Sequence, residues 1–214
     1  MKLRVVTYNV LSSHLSSPNH YTTLNPDHLD PLRRLPIVLQ KLESQLKEEK
    51  RSVFCLQEVS YDWAGTFHTF FAQRGFHMVT GLYGRKFNGY MGVALAWPTE
   101  EFETIDVDIS RLSDTRNWPP RDEKTFWSNI LETAVAFPFK LLGKKEEKDP
   151  WDYAEQRMNV MASVTLKDRT SGTAFCIGTY HMPCAYFAPQ VMTIHADVRC
   201  FSTVKAIFAG FCIS

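Results

Sequence analysis

Two short apolar segments of the chain each run into polar side chains. The first, residues 3–11, is rich in β-branched and aromatic residues and carries Asn9 near its end, just before a serine-rich stretch. The second, residues 52–59, carries Gln57 and Glu58 near its end. Apolar runs of this length, stopped by turn-forming residues, predict buried strands. Both predicted strands therefore deliver polar groups of the kind that form functional sites.

Glu58 is the most informative of these polar residues. A carboxylate rarely lies beside buried apolar residues unless it is paired or binds a metal ion. Asn9 has a simpler alternative, because an asparagine at a strand end is also a common turn cap. The sequence therefore indicates a metal ligand at Glu58 and leaves both interpretations of Asn9 open.

Helical periodicity follows each of the two strands. Asp30 and Pro31 are a suitable N-cap and first helical residue for an amphipathic, leucine-rich helix. Pro36 lies inside that pattern, which predicts either a kink or a true helix start near residue 35. Aromatic residues at helical spacing in 61–74, ending at Gly75, predict a second helix. Core packing is the main interpretation of its aromatic stripe, and a base-stacking surface is the alternative.

The remaining apolar runs predict a protein rich in strands. Further strands are predicted at residues 76–83, 89–97, 103–110, 159–166, 173–181 and 204–210. A third helix is predicted at 188–203. The strand at 173–181 ends in His181, so three predicted strands end in polar residues, and the coincidence is stronger than any one of them.

Composition restricts the class of protein without naming a partner. The 214 residues suit a single domain, 1–214, with a probable insertion at 111–153 where the regular patterns stop. The net charge of +1 gives no general reason to expect nucleic-acid binding, so any polyanion site must be a local patch. Five scattered cysteines without a C-x-x-C pair indicate a reducing compartment. We therefore expect a cytoplasmic protein, with a nuclear location also possible, and no membrane partner; protein partners are not indicated.

The polar strand ends resemble the motifs of a known enzyme superfamily. Thr7-Tyr-Asn-Val-Leu11 and Cys55-Leu-Gln-Glu-Val59, separated by a helical connection, resemble the opening of the endonuclease/exonuclease/phosphatase superfamily. Thr179-Tyr-His-Met182 is similar to its Thr-His-Leu motif, with one extra residue before the histidine. The resemblance implies an α/β protein: a four-layer α/β sandwich, deoxyribonuclease I-like, of two mostly antiparallel sheets with helices outside.

The same resemblance implies a metal-dependent phosphodiesterase or nuclease. Glu58 is then the ligand of Mg²⁺ or Mn²⁺, and Asn9 and His181 are the catalytic residues. Arg85 and Lys86, in the turn between two strands, become candidate contacts to the phosphate of an RNA or DNA substrate, although basic residues in a turn are more often merely solvated.

Within the superfamily, the motifs are most similar to those of carbon-catabolite-repression-type deadenylases, nocturnin and 2′-phosphodiesterase. We therefore expect an RNA-directed enzyme, with a DNA-repair phosphodiesterase as one alternative and a catalytically inactive fragment or binding module as another. The third possibility arises because Gly210-Phe211-Cys212 occupies the place of the superfamily's Gly-Asp-Phe-Asn. On this basis the sandwich is expected to be C-terminally incomplete and slow in catalysis, with Asp62 and Asp197 as the candidate replacement carboxylates.

Overall fold

Two four-stranded sheets form the framework of the protein. A computed structural model describes residues 2–84, 90–115, 118, 149–185 and 188–196, and the backbone of 206–211. The first sheet has the strand order β1-β2-β4-β3, with β1 Arg4–Asn9, β2 Ser52–Ser60, β3 Phe76–Tyr83 and β4 Met91–Pro98. The second has the order β5-β6-β7-β8, with β5 Phe102–Arg111, β6 Val160–Asp168, β7 Ala174–Tyr180 and β8 Ala206–Phe211.

Each sheet contains one parallel pair of strands. β1 pairs in parallel with β2, and β7 pairs in parallel with β8, whereas the other pairs are antiparallel. Parallel neighbours need a crossover connection, and the helix α1, Pro31–Glu48, lies in the one between β1 and β2. The predicted pattern of mostly antiparallel sheets is therefore confirmed.

The helices begin where their capping residues predict. Asp30 Oδ1 accepts the backbone N–H of Leu32 at 2.9 Å and caps α1. The helix continues through Pro36, so the alternative start near residue 35 was wrong. Proline removes one donor from the ladder, and the cap together with the apolar face outweighs that loss. The helix α2, Tyr61–Ala72, is followed by Gly75 at φ +74°, the left-handed residue predicted to end it.

Two apolar clusters hold the first sheet from its two sides. The aromatic stripe of α2 is buried against the outer face of the sheet, beside Phe54 and Leu42, which confirms the core-packing interpretation. The stripe consists of Trp63, Phe67, Phe70 and Phe71. On the inner face, residues such as Leu95 pack with Val164 and Ile177 of the second sheet. The two sheets thus share one core.

The described residues test the remaining element predictions unevenly. The strand predicted at 103–110 is present as β5, and its apolar residues Ile105, Val107 and Ile109 are 54%, 38% and 44% exposed at this edge of the second sheet. The third predicted helix is present as a helix over Pro189–Ala196, and residues 197–203 lie outside the described part.

The predicted insertion at 111–153 is described only at its ends. They hold a 3-10 turn at Leu112–Thr115 and the helix α3, Pro150–Glu155, so the helix at Pro189–Ala196 is α4. Residues 119–148 lie outside the described part, and the insertion stays a prediction. No helix in the described ranges is long and apolar enough to cross a membrane.

Gly92 is the position where the first sheet tolerates no side chain. A Cβ atom placed there would lie 1.8 Å from the backbone oxygen of Gly81 on the neighbouring strand. We expect Gly92→Ala to lower the free energy of unfolding by at least about 3 kcal/mol in urea denaturation, since backbone atoms cannot move aside cheaply. The control is Gly65→Ala in α2, where nothing lies within 4 Å of the new atom. That change should stabilise the protein by about 0.5–1 kcal/mol, and equal effects of the two variants would contradict the packing.

Candidate functional site

Glu58 lies buried at the end of β2 in an unusual backbone conformation. Its φ is +58°, and the pairing of β2 with β4 shifts register between Gln57 and Val59. The residue is only 2% exposed. A left-handed conformation at a residue other than glycine costs about 1–3 kcal/mol and persists only where the surroundings enforce it. Such strain at a buried carboxylate points to a functional site rather than to packing alone.

Two donors from the end of β1 hold the Glu58 carboxylate. Asn9 Nδ2 donates to Oε1 at 2.7 Å, and the backbone N–H of Ser12 donates to Oε2 at 3.1 Å. The Asn9 side chain is itself oriented, because its Oδ1 accepts the backbone N–H of Leu11 at 2.9 Å. Parallel pairing aligns Asn9 with Gln57, which brings the two strand ends to the same edge of the sheet.

His181 reaches the same carboxylate from the second sheet. It follows β7, and its Nε2 lies 3.4 Å from Glu58 Oε1, without the alignment of a hydrogen bond. The Tyr83 hydroxyl lies 3.0 Å from His181 Nδ1, and Asn159 Nδ2 donates to that hydroxyl at 3.2 Å and to the His181 carbonyl at 2.9 Å. The structure therefore brings together Asn9, Glu58 and His181, the three residues singled out from the sequence.

These contacts define the tautomer of His181. Since Asn159 already donates to the Tyr83 oxygen, we assign the Tyr83 hydroxyl as the donor to His181 Nδ1. The ring proton of His181 is then on Nε2, which faces Glu58. Burial lowers the pKa of His181, and the Glu58 carboxylate offsets part of that fall. Burial also raises the pKa of Tyr83, so its hydroxyl stays a donor. The lowered pKa favours the neutral form of the His181 imidazole at neutral pH.

The side chain of Gln57, the neighbour of Glu58, makes its hydrogen bonds inside the core and not with the Glu58 carboxylate. Its Nε2 donates to Thr179 Oγ1 at 3.0 Å, to the Cys55 carbonyl at 3.1 Å and to Thr7 Oγ1 at 3.3 Å. It thereby connects β1 and β2 to β7 across the core. Of the two polar residues at the end of this strand, only Glu58 contacts the other predicted site residues.

The segment after β1 runs beside the segment after Glu58. The N–H of Ser13 lies 3.4 Å from Ser60 Oγ, and His14 Nε2 lies 3.3 Å from Asp62 Oδ2. Asp62, a candidate replacement carboxylate, is 58% exposed in its side chain and pairs with His14. The other candidate, Asp197, lies outside the described residues.

The donor set at Glu58 suits a single hard divalent ion. In the described ranges, no three His, Cys, Asp or Glu side chains are grouped to hold a metal. The Glu58 carboxylate is buried, however, Asn9 and Ser12 are neutral donors, and no Lys or Arg of the described residues forms an ion pair with it. Mg²⁺ keeps several waters and uses one or two carboxylates, so the residues present fit such an ion. Asn9 Oδ1 is occupied by the Leu11 N–H, which makes Asn9 a group that orients Glu58.

Arg85 and Lys86, the predicted phosphate contacts, lie outside the described residues.

Sequence reasoning missed three groups that contact the site from positions far away in the chain, namely Ser12, Tyr83 and Asn159. Asn159 carried a weak signal, since it stands at the start of an apolar strand as a lone amide. Nothing in the local pattern marks Tyr83 or Ser12.

Comparisons with known proteins identify the fold. No protein-family profile and no curated protein sequence matches the chain. Among solved structures, ANGEL2, a 2′,3′-cyclic phosphatase, is similar with a TM-score of 0.58 and 18% identity over 85% of this chain and 41% of that one. The human Nocturnin catalytic domain with bound sulfate is similar with a TM-score of 0.53 and 18% identity over 86% of this chain and 51% of that one. An endonuclease/exonuclease/phosphatase from Bacteroides vulgatus is similar with a TM-score of 0.51 and 13% identity over 90% of this chain and 57% of that one.

The chain has the endonuclease/exonuclease/phosphatase fold. Structural similarity to members of this superfamily extends over most of its length, and its two sheets match theirs. It spans only 41% and 51% of the ANGEL2 and Nocturnin chains. The similarity therefore supports the hydrolase fold expected from the motifs, while activity and substrate are matters for proposal.

Tyr83→Phe tests the network that fixes His181. The change removes the hydroxyl at His181 Nδ1 and one acceptor of Asn159. Leaving such buried groups without partners should lower the free energy of unfolding by about 1–3 kcal/mol in urea denaturation. In long-range ¹H–¹⁵N spectra, His181 of the wild type should show the proton on Nε2, and the variant should show a mixture of tautomers.

The matched control is Tyr61→Phe, at an exposed tyrosine of α2. Removing this hydroxyl should change stability by less than about 0.5 kcal/mol. If the wild-type His181 carries its proton on Nδ1, or if both tyrosine variants behave alike, the proposed hydrogen-bond pattern is wrong.

Proposed function

We propose that this chain is a divalent-metal-dependent phosphodiesterase that acts on RNA. The observation that carries the proposal is the Glu58 carboxylate, buried in left-handed backbone and held by the neutral donors of Asn9 and Ser12. A buried carboxylate that forms no ion pair with a Lys or Arg of the described residues is a suitable ligand for a hard cation. The resemblance of the motifs to the superfamily implies a divalent metal ion as well.

In this proposal Glu58 holds Mg²⁺ or Mn²⁺ at the edge of the first sheet. The ion would supply Lewis-acid polarisation of a phosphoryl oxygen. Asn9 and the Ser12 N–H keep the carboxylate in one orientation. His181 presents a neutral N–H that has no aligned partner among the described residues, so it is available to donate to an oxygen of the scissile phosphate. Arg85 and Lys86 would contact the substrate backbone.

We prefer RNA as the substrate because the motifs and one of the similar structures favour it. ANGEL2 is described as a 2′,3′-cyclic phosphatase, a chemistry that requires a ribose 2′ oxygen. A DNA-repair phosphodiesterase is the competing enzyme class.

We further propose a location in the cytoplasm or in the nucleus. We also expect the insertion and an outer helical layer on the second sheet to complete a four-layer sandwich.

An inactive binding module is the second candidate, and one observation favours it. In the described residues no three His, Cys, Asp or Glu side chains are grouped to hold a metal. In the sequence, the Asp of the superfamily motif is missing after Gly210, and Cys212 stands where its Asn belongs. Without a carboxylate to position water, binding of metal and substrate can persist while turnover is lost.

Glu58→Gln tests the metal site directly. The variant keeps the shape of the side chain but removes the one hard anionic ligand, so Mn²⁺ affinity should fall by more than about 100-fold. Electron paramagnetic resonance of free Mn²⁺ measures the change, and circular dichroism checks the fold. Glu103→Gln, at a half-exposed carboxylate of β5 paired with Lys167, is the control and should bind as the wild type does. Equal Mn²⁺ affinity in both variants would remove Glu58 as the ligand.

Turnover tests the choice between enzyme and binding module. We expect the chain to hydrolyse oligoadenylate and adenosine 2′,3′-cyclic phosphate with Mg²⁺ on the order of 10² to 10⁴ more slowly than a complete site would, because the described residues place no water-positioning carboxylate beside Glu58. Phosphate release assays on RNA and on DNA of matching sequence measure this. Fast hydrolysis that disappears in His181→Ala would contradict the expectation, and Asp62→Asn would then show whether Asp62 supplies the carboxylate.

A further inference from the structure

Arg34 connects the first turn of α1 to the end of β1. Its Nη2 donates to the backbone carbonyls of Val10 and Leu11, at 2.7 Å each. The guanidinium also lies over the indole of Trp63, 5.2 Å from the ring centroid. One side chain thus joins two successive carbonyls of the site segment to both helices that cover the first sheet.

The segment that Arg34 holds is strained. Leu11 has φ +54°, a left-handed conformation that a leucine adopts at a cost of about 1–2 kcal/mol. Arg34 binds the carbonyl just before the Leu11 φ bond, which belongs to Val10, and the carbonyl just after the ψ bond, which belongs to Leu11 itself. Charged donors give stronger hydrogen bonds than neutral ones, so these two contacts offset part of the cost of this conformation.

The strained turn supplies both donors that hold Glu58. The Leu11 N–H donates to Asn9 Oδ1 at 2.9 Å, which directs Asn9 Nδ2 towards Glu58. The next residue, Ser12, then places its N–H 3.1 Å from the other carboxylate oxygen. Because the φ and ψ angles of Leu11 set the direction of the peptide that follows, relaxation of this residue to an ordinary conformation would move the Ser12 N–H away from the carboxylate.

We propose that Arg34 is a positioning residue that sets the divalent-cation affinity of Glu58 by holding the turn at Leu11. The inference rests on the proposed metal site and adds to it a group outside that site. Arg34 does not contact the carboxylate and donates to carbonyls instead. Arg34 therefore acts on Glu58 through the turn and through space, without taking up a ligand position on the carboxylate.

Arginine suits this position better than lysine. A planar guanidinium binds two carbonyls in a fixed geometry and stacks on an aromatic ring, whereas an ammonium is a single mobile point. Burial lowers the pKa of Arg34, and the neighbouring Tyr8, Tyr21 and Glu58 raise it. A guanidinium stays protonated in proteins, so the clamp keeps its charge throughout the physiological range.

The chain contains a matched control in the preceding residue. Arg33 lies on the same helical turn, but it is exposed and pairs with Asp27 at 2.9 Å and Asp30 at 3.8 Å. We expect Arg34→Met to weaken Mn²⁺ binding by about 10- to 100-fold, the range seen when a group behind a metal ligand is lost. Arg34→Lys should give an intermediate loss, and Arg33→Met should change the affinity less than about twofold.

Two readouts separate positioning from a general loss of stability. Hydrogen exchange at the amides of Leu11 and Ser12 should accelerate in Arg34→Met, while amides in the centre of β2 keep their protection. Addition of millimolar guanidinium to Arg34→Ala should restore part of the Mn²⁺ affinity, because the ion can occupy the vacated position over Trp63. Guanidinium should not increase the affinity of Arg33→Met.

The outcomes distinguish this inference from the proposed function. Wild-type protein that binds no Mn²⁺ would overturn the metal site and with it the effect on affinity, while the exchange rates of Leu11 and Ser12 would still decide whether Arg34 holds the turn. Wild-type protein that binds Mn²⁺, together with unchanged affinity and unchanged exchange in Arg34→Met, would overturn the role of Arg34 alone. Equal losses in Arg33→Met and Arg34→Met would do the same.

Discussion

The desolvated carboxylate of Glu58 is the constraint on which this end of the protein depends. Removing an ionised carboxylate from water costs several kcal/mol unless hydrogen bonds or a counterion compensate. Here the hydrogen bonds come from β1 and the turn after it, and the nearest imidazole comes from the second sheet. The two sheets and the crossover helix therefore all contribute to one charged group, which explains why polar residues lie at three separate strand ends.

The adjacent residues Gln57 and Glu58 divide two tasks at one strand end. Gln57 bonds to Thr7 and Thr179 inside the core and fixes the relative position of the sheets. The left-handed backbone at Glu58 directs the Glu58 side chain towards Asn9 and His181. A buried polar network that is well satisfied holds a unique arrangement, and the site gains its geometry from that rigidity. Stability and chemistry thus meet in two consecutive residues.

Sequence reasoning found the parts of the site that local pattern controls. Apolar runs with polar ends predicted the strands and, with the superfamily resemblance, the group of Asn9, Glu58 and His181. It did not find Tyr83 or Arg34, because each acts on a residue far away in the chain, and no periodicity records such a contact. The helix start near residue 35 was wrong for a related reason: proline statistics describe isolated helices, whereas tertiary packing decided this one.

Parallel pairing of β1 with β2 has a consequence for the order in which the protein folds. Arg4 pairs with Ser52, so this ladder closes only after the intervening chain has formed a crossover, at an entropy cost that the antiparallel β3–β4 pair avoids. We expect the hairpin to form early and the β1–β2 edge late. The carboxylate site, assembled across that edge, would then be among the last regions to become ordered, and a partly folded chain would retain most of its sheets while having no site at all.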